Sequence, residues 1–247
     1  MEIIDDYPMS SDEYQSYAKL YDRFLTPLLR PLRIDIRTFI HYRGYRNIID
    51  MCCGTGDQLQ LLERDGMNLV GVDNSVSMLE KARERCSDRV TLHMLDAEQM
   101  QAPEEPFDCA LLTFSLHEKH ATRRNHIFAN ARKMVRQGGS LIVTDYSGSS
   151  EGIKGSLIGR LLMPIIERCA GKTHYQNYLD WHKKGGLEVY LDRHEQTVDV
   201  ISRPYGGTVL CCSITIDDAG QALRRHIALL NRSLTSTSPG SIHSHDK

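Results

Sequence analysis

The sequence predicts an α/β protein built on a seven-stranded, mostly parallel sheet with helices on both faces. From residue 47, short apolar runs alternate with segments of helical spacing that begin at capping residues such as Asn74 or Ser75. The first five runs are separated by long segments, mostly of the dozen or more residues that a crossover between parallel strands requires. The last two runs have only a short connection, so they are expected to pair as an antiparallel hairpin.

Each element follows from its own pattern of apolar residues. Strands are predicted over residues 47–51, 68–73, 90–96, 107–115 and 140–146, with two more within 187–216. Helices are predicted over residues 57–65, 74–86 and 123–136. Gly138 and Gly139 are expected to turn the chain into the fifth strand.

Three regions flank or interrupt this sheet. Residues 1–46 carry apolar residues at helical spacing and are predicted to form an N-terminal helical cap, broken by Pro27 and Pro31. Residues 47–216 are predicted to form the main domain. Its segment 148–186 is predicted to be an insertion of two helices that acts as a substrate lid. Residues 217–247 are expected to form a helix and a frayed tail.

Composition argues against several classes of function. The 30 Lys and Arg against 32 Asp and Glu provide no positive field for nucleic acid. No run approaches the roughly 18 apolar residues of a membrane span. The basic amphipathic segment 153–169 leaves peripheral membrane contact open, beside ordinary packing on the sheet. Seven cysteines without a secretion signal favour reduced thiols in a soluble, cytoplasmic protein. The protein is expected to be a monomer or a homodimer.

Small and acidic residues gather where the first three strands end. Gly54 and Gly56 follow the first strand, where a side chain would block the approach of a ligand to backbone amides. Asp73 ends the second strand and is well placed to accept both ribose hydroxyls of an adenosine. Asp96 and Ala97 end the third strand, where they can contact the adenine edge. The sequence therefore predicts an adenosine-containing ligand at this edge of the sheet.

The charge of this site discriminates between adenosine cofactors. A dinucleotide fingerprint would place a third glycine at position 59, where Leu59 stands. Asp50, in the first strand, would repel a pyrophosphate but attract a cationic ligand. The sulfonium and amino groups of S-adenosylmethionine suit such a site.

At these residues the sequence resembles the class I S-adenosylmethionine-dependent methyltransferases, and among them the branch that methylates ubiquinone and menaquinone precursors. The matching stretches are IIDMCCGTGD, LVGVDNSVSML, HMLDAEQM, FDCALLTFSLHE and GGSLIVTDY, with YAKLYDRF and CCGTGD for the branch. The resemblance implies a Rossmann-like, seven-stranded sheet and conversion of S-adenosylmethionine to S-adenosylhomocysteine. Cys52 stands where this motif usually has its first glycine, a departure similar to variants within the branch.

The resemblance also implies roles at the cofactor site. Asp50, Gly54 and Gly56 would hold the methionine and the sugar, while Asn74 and Met78 would flank the adenosine. The full set of predicted cofactor residues is Asp50, Cys52, Gly54, Gly56, Asp73, Asn74, Met78, Asp96, Ala97, Ser115 and Tyr21.

Histidine and aromatic residues after the fourth strand and in the insertion predict an acceptor site. His117 is our first candidate for a general base toward a phenol or quinol, and His174 the second. The predicted substrate contacts are Glu118, Tyr146, Tyr175 and Tyr178. Structural roles remain open for these residues: Glu118 can cap the next helix, His117 can pack under a loop, and the tyrosines can form a packing stripe.

The predicted function is methyl transfer from S-adenosylmethionine to a small acceptor, phenol-like, quinol-like or otherwise apolar-ringed. No metal ligands are predicted, because Cys52 and Cys53 lack a C-x-x-C partner and HEKH is not the H-E-x-x-H zinc pattern. The two cysteines are interpreted as small walls beside the ligand. The alternatives are a binding module without catalysis, an NAD-dependent oxidoreductase, and a hydrolase that uses Ser150 of GSSEG.

Overall fold

The computed structural model describes residues 26–148, 163–194 and 196–217, and the statements below concern these residues. Contacts divide the chain into two units, Met1–Ile216 and Asp217–Lys247, and the fold and the site belong to the first. Several predictions lie outside the described residues: the N-terminal part of the helical cap with Tyr21, the start of the insertion with Ser150, and the C-terminal helix.

Seven strands form one sheet in the order β3-β2-β1-β4-β5-β7-β6. Their bounds are β1 Asn47–Met51, β2 Asn68–Asp73, β3 Val90–Met94, β4 Phe107–Thr113, β5 Val135–Tyr146, β6 Asp199–Ser202 and β7 Val209–Thr215. Strands β1 to β5 run parallel, whereas β7 pairs antiparallel with both β5 and β6. The predicted fold class, including its final hairpin, is confirmed.

Helices surround the sheet. Their bounds are α1 Thr26–Tyr42, α2 Asp57–Glu63, α3 Val76–Arg85, α4 Ala121–Lys133, α5 Met163–Cys169, α6 Lys172–Lys183 and α7 Gly186–Arg193. The inner strands β1 and β4 are apolar because both faces are covered; Ile48, Leu111 and Leu112 are fully buried. Ser75 caps α3, as predicted, since its hydroxyl accepts a hydrogen bond from the Met78 N–H at 3.4 Å.

The N-terminal region differs from the prediction at one proline. Helix α1 continues through Pro31, which lies in its second turn and removes one intrahelical hydrogen bond. Burial of Leu32, Ile36 and Ile40 at helical spacing compensates for that loss. The predicted break at Pro31 is therefore wrong.

Strand β5 and the region after it also differ from the prediction. Gly138 and Gly139 lie inside β5, because the Gly138 N–H donates to the Ile216 carbonyl at 2.8 Å and so continues the pairing beside β7. A strand was predicted from Leu187 onward, but these residues form helix α7, whose buried face includes Leu187 and Leu191. The described part of the insertion contains helices α5 and α6, and α7 follows where a strand was predicted.

Two further observations concern the predicted absence of a membrane span and the predicted reduced state of the cysteines. No helix of the described ranges is long and apolar enough to cross a bilayer. All seven cysteines are free thiols, and Cys211 and Cys212 are fully buried in β7.

Candidate active site

A cavity opens where β1, β2, β4 and β5 end. This is the carboxyl edge of the parallel strands, at the point where the strand order reverses between β1 and β4, and open α/β sheets bind ligands there. The predicted site residues that line it are Cys52, Gly54, Asp73, Asn74, Met78, Ser115, His117, Glu118, Tyr146 and His174. The structure therefore brings both predicted halves of the site, cofactor and acceptor, to one cavity.

The turn after β1 depends on left-handed backbone conformations. The φ angles are +62° at Cys52, +54° at Gly54 and +76° at Gly56. A Cβ atom at Gly56 would also lie 3.1 Å from both Ala82 Cβ and Cys86 Sγ. Gly56 thus lets α2 start close against α3, with its first N–H groups near the cavity.

Asp73 connects this turn to the start of α3. Its Oδ2 accepts a hydrogen bond from the Gly54 N–H at 2.9 Å, and its Oδ1 accepts one from the Ser75 N–H at 2.9 Å. Burial raises the pKa of Asp73, while these two backbone donors oppose the rise. The same carboxylate lines the cavity, as the ribose prediction requires.

Asp50 lies in β1 beneath the turn, not in the cavity wall. Asp50 is 3% exposed. This burial raises the pKa of its carboxyl to about 7, and the positive charge of Arg33 opposes the rise. A cationic group bound above β1 would favour the ionised carboxylate. The charge argument from the sequence is therefore retained, although direct contact with a ligand remains a prediction.

A chain of alternating carboxylates and imidazoles forms the other side of the cavity. It runs through Asp145, His117, Glu167, His174 and Glu118, and we call it the His–carboxylate cluster. The joining distances are 2.8 Å from Asp145 Oδ1 to His117 Nδ1, 3.2 Å from His117 Nε2 to Glu167 Oε2, 2.5 Å from Glu167 Oε2 to His174 Nε2 and 3.4 Å from His174 Nδ1 to Glu118 Oε2. The two predicted bases therefore belong to one network.

The cluster is electrostatically coupled. Burial by itself lowers the pKa of His117, but the charges and hydrogen bonds of Asp145 and Glu167 outweigh it and hold this pKa well above its usual value. For Glu167, burial raises the pKa, and His117 and His174 more than reverse the effect. The two carboxylates that flank His117 therefore favour the protonated form of its imidazole.

The cluster is held by contacts that reach into three elements. Asp145 accepts hydrogen bonds from the backbone N–H groups of Leu116, His117 and Tyr146 at 3.0, 3.1 and 2.7 Å. The Tyr146 hydroxyl donates to Glu167 Oε1 at 2.5 Å. The Trp181 indole N–H donates to the Tyr146 carbonyl at 2.9 Å, which ties α6 to the end of β5.

Comparison with known proteins shows a family that part of this chain resembles. Residues 48–139, from β1 into β5, match the family described as a methyltransferase domain. Over these residues the chain resembles the class I methyltransferases. The match covers every strand end that surrounds the predicted cofactor site.

Relatives of the methyltransferase domain include enzymes of quinone biosynthesis. The chain is 29% identical over 159 residues to the ubiquinone/menaquinone biosynthesis C-methyltransferase UbiE of Azotobacter vinelandii, covering 60% of this chain and 62% of that protein. The chain therefore spans less than two thirds of that relative's length. This likeness agrees with the branch indicated by the sequence.

Solved structures show that the fold is shared well beyond the matched residues. An O-methyltransferase family protein from Burkholderia thailandensis superposes with a TM-score of 0.58 at 16% identity, over 81% of this chain and 60% of that one. The plantazolicin methyltransferase BpumL, solved with S-adenosylhomocysteine, gives a TM-score of 0.58 at 13% identity, over 84% and 93%. At these identities the likeness establishes the fold alone.

Two predicted adenine contacts of the methyltransferase domain lie away from the cavity lining. Asp96 Oδ2 accepts from Arg123 Nη2 at 2.8 Å, and its Oδ1 accepts from the Glu98 N–H at 2.9 Å. Ala97 is 4% exposed, and its carbonyl accepts from Asn130 Nδ2 at 3.1 Å. Their contact with adenine remains a prediction, and it would require Asp96 to share its carboxylate with Arg123.

The predicted aromatic lid is found partly behind the cavity wall. Tyr178 is 6% exposed and packs edge-on against Tyr146 at 5.1 Å between ring centres, while Tyr175 stacks on Tyr178 at 6.0 Å. Of these three tyrosines, Tyr146 is the one that lines the cavity. In this arrangement Tyr175 and Tyr178 support the wall, and substrate contact by either remains a prediction.

Sequence reasoning missed two central members of the cluster. Asp145 is one residue before the predicted Tyr146, on the opposite face of β5, and its partners come from the chain after β4. Glu167 lies in α5, within the insertion, where no motif distinguishes it from a surface carboxylate. For Asp145 the available signal was a carboxylate within the buried run SLIVTDY, because a charge buried in a strand needs partners.

Proposed function

We propose that this chain transfers a methyl group from S-adenosylmethionine to a small acceptor with a hydroxylated, apolar ring, of the phenol or quinol kind. The observation that supports this most is the shared cavity. Asp73 and the turn around Gly54 stand on one side of it, and the His–carboxylate cluster stands on the other.

The cofactor side fits a cationic adenosine compound. Asp73 is oriented by two backbone donors before any ligand arrives, so little ordering remains for ribose binding. Asp50 favours a positive ligand above β1. Leu59, fully buried in α2, occupies the position where a dinucleotide fingerprint needs its third glycine, which disfavours the NAD-dependent alternative.

The acceptor side fits a ring that carries a hydroxyl group. Leu29, Phe114, Tyr146 and Met163 provide apolar wall beside the cluster. The buried hydroxyl of Ser115, also in the wall, has no hydrogen-bond partner among the described residues and can serve a ligand. The UbiE relative, by its name, acts in quinone biosynthesis, which favours an apolar ring over a sugar or peptide.

Methyl transfer from a sulfonium needs mainly alignment and exclusion of water, because the methyl group is already electrophilic. Proton removal from the acceptor hydroxyl is the additional step. His117 is poorly suited to it, since Asp145 and Glu167 hold the pKa of its imidazole well above the usual value. Both imidazoles line the cavity, but the His174 side chain is 18% exposed against 3% for His117, so within the protein alone His174 is the more accessible candidate. Cytoplasmic location stays a prediction from the sequence.

Calorimetry with S-adenosylmethionine, S-adenosylhomocysteine and NAD tests the cofactor, and release of S-adenosylhomocysteine over a panel of phenols and quinols tests the reaction. We expect binding of the first two compounds and turnover with at least one hydroxylated ring. Folded protein that binds neither compound would refute the proposal. Binding without turnover on the whole panel would favour the non-catalytic alternative.

A further inference from the structure

Three donor atoms of the His–carboxylate cluster converge on one point. His117 Nε2 and His174 Nε2 both approach Glu167 Oε2, at 3.2 and 2.5 Å, and the three atoms lie within 4.8 Å of one another. We propose that these atoms bind one divalent transition-metal ion. The sequence predicted no metal ligands, and His117 lies 50 residues before Glu167 in the chain.

The spacing of the donor atoms is close to that of a ligand set. Zinc and similar ions bind imidazole nitrogen and carboxylate oxygen at about 2.0–2.2 Å, so neighbouring ligand atoms lie roughly 3 Å apart. The 3.2 Å between His117 Nε2 and Glu167 Oε2 already has this value. His174, on α6, needs to move by only a few tenths of an ångström to reach it.

The outer contacts leave these three atoms available and direct them inward. The Nδ1 atom of His117 faces Asp145 at 2.8 Å, and that of His174 faces Glu118 at 3.4 Å. Metal-binding histidines characteristically donate their second N–H to a carboxylate in this way, which fixes the ring and turns the Nε2 lone pair toward the ion. Both histidines of the cluster have such a partner.

The carboxylate of Glu167 is also oriented by a hydrogen bond. The Tyr146 hydroxyl donates to its Oε1 at 2.5 Å, so Oε2 is the oxygen that faces the two histidines. The glutamate is 4% exposed and His117 is 2% exposed, so these are not loose surface groups. A divalent ion would also offset two of the three negative charges that the carboxylates of the cluster can carry.

The donor set indicates the class of ion. Two imidazoles and one carboxylate suit zinc, iron, cobalt or manganese, whereas magnesium and calcium prefer sites made of oxygen alone. Three protein ligands leave coordination positions open, as in catalytic metal sites. His117, Glu167 and His174 all line the cavity, so the open positions face the space assigned to the acceptor.

This placement deepens the proposed function, on which the following point rests. An acceptor hydroxyl bound to the ion would lose its proton more readily, because the metal stabilises the oxyanion. His174 would then be a ligand and not a base. The ion would also orient the ring toward the methyl donor.

Metal binding can be measured on the full chain after removal of metals with a chelator. Zn²⁺ is titrated by calorimetry, and Co²⁺ by its visible absorption, which distinguishes imidazole and carboxylate ligands from thiolates. We expect one ion per chain. Glu167→Gln and His174→Asn should weaken binding at least tenfold, and Asp145→Asn about 10- to 100-fold through its hold on His117.

The matched control is His126→Asn. It removes an exposed imidazole of α4 that pairs with Glu98, and it should leave metal binding unchanged. Circular dichroism verifies folding, and the partly exposed His174 provides the test if Glu167→Gln fails to fold. No binding to folded wild-type protein, undiminished binding in His174→Asn, or a cobalt spectrum dominated by thiolate would overturn the proposal.

S-adenosylmethionine affinity measured on the same samples separates this inference from the proposed function. Cofactor binding without metal binding would remove the metal site and leave His174 as the candidate base. Metal binding without cofactor binding would remove the methyltransferase proposal, while the metal site would stand.

Discussion

Replacement of Asp73 by asparagine tests the cofactor site with the smallest change in shape. The carboxylate accepts from the Gly54 N–H and the Ser75 N–H, one on each oxygen, and also lines the cavity. An asparagine keeps one acceptor oxygen and presents an NH₂ group to the other partner. One backbone donor and one ribose hydroxyl therefore lose their acceptor, and the remaining partners keep only a neutral one.

The size of the effect follows from these contacts. A hydrogen bond to a charged group contributes about 1.5–3 kcal/mol, so Asp73→Asn should weaken S-adenosylmethionine and S-adenosylhomocysteine binding roughly 10- to 100-fold. Loss of one backbone partner should lower the free energy of unfolding by about 1 kcal/mol. Asp73→Ala leaves both donors unpaired and should cost about 2 kcal/mol of stability, with a loss of affinity of about 1–3 kcal/mol.

Calorimetry with both cofactors, together with urea unfolding monitored by circular dichroism, gives the two quantities independently. Asp88→Asn removes an exposed carboxylate in the loop after α3 and should change neither. If Asp73→Asn lost stability but bound both cofactors as tightly as wild type, Asp73 would only be organising the turn. The ribose assignment would then be refuted.

Three further predictions concern the framework of the site. Gly56→Ala places a side chain at φ +76° against Ala82, so it should destabilise the protein by about 1–3 kcal/mol and weaken cofactor binding; wild-type behaviour in urea unfolding and calorimetry would contradict this. The hydrogen bond from Arg37 lowers the pKa of Asp65 to about 2, so the pair should stabilise the fold above pH 4 and lose that effect as the pH falls toward 2. Because Arg37 is partly exposed, Asp65→Asn should cost about 1–2 kcal/mol at pH 6 and only a few tenths of that at pH 2, and a pH-independent difference in urea unfolding would argue against the pair. Trp181→Phe removes the indole N–H that anchors α6, and we expect a raised KM for the acceptor with unchanged cofactor affinity; an unchanged KM would show that α6 does not set the acceptor site.

The parts of the fold that were predictable from the sequence depend on local patterns. Strands β1 and β2 have the predicted bounds because each is a short apolar run closed by turn residues. Asp73 and Gly54 were found because parallel strands bring their carboxyl ends to one edge. Helix α7 was missed because LEVYL alternates like a strand, and its packing on β5 decides otherwise.

The parts of the site that escaped prediction depend on contacts between distant segments. Glu167 reaches His117 across 50 positions of the chain, and nothing in the local sequence of α5 indicates the encounter. Asp96 shows the opposite case, since its strand-end position was predicted but its pairing with Arg123, 27 residues away, was not. Side-chain partners across elements are set by tertiary packing, which single-sequence patterns do not encode.

Cys52 places a thiol in the wall of a cavity proposed to hold a reactive methyl donor. Burial raises the pKa of this thiol to about 12, and Lys119 opposes the rise only in part. Because the thiolate is the nucleophilic form, the neutral side chain is protected from alkylation by the cofactor. A redesigned pocket with an added positive charge beside Cys52 would weaken that protection and expose the enzyme to suicide inactivation through self-methylation.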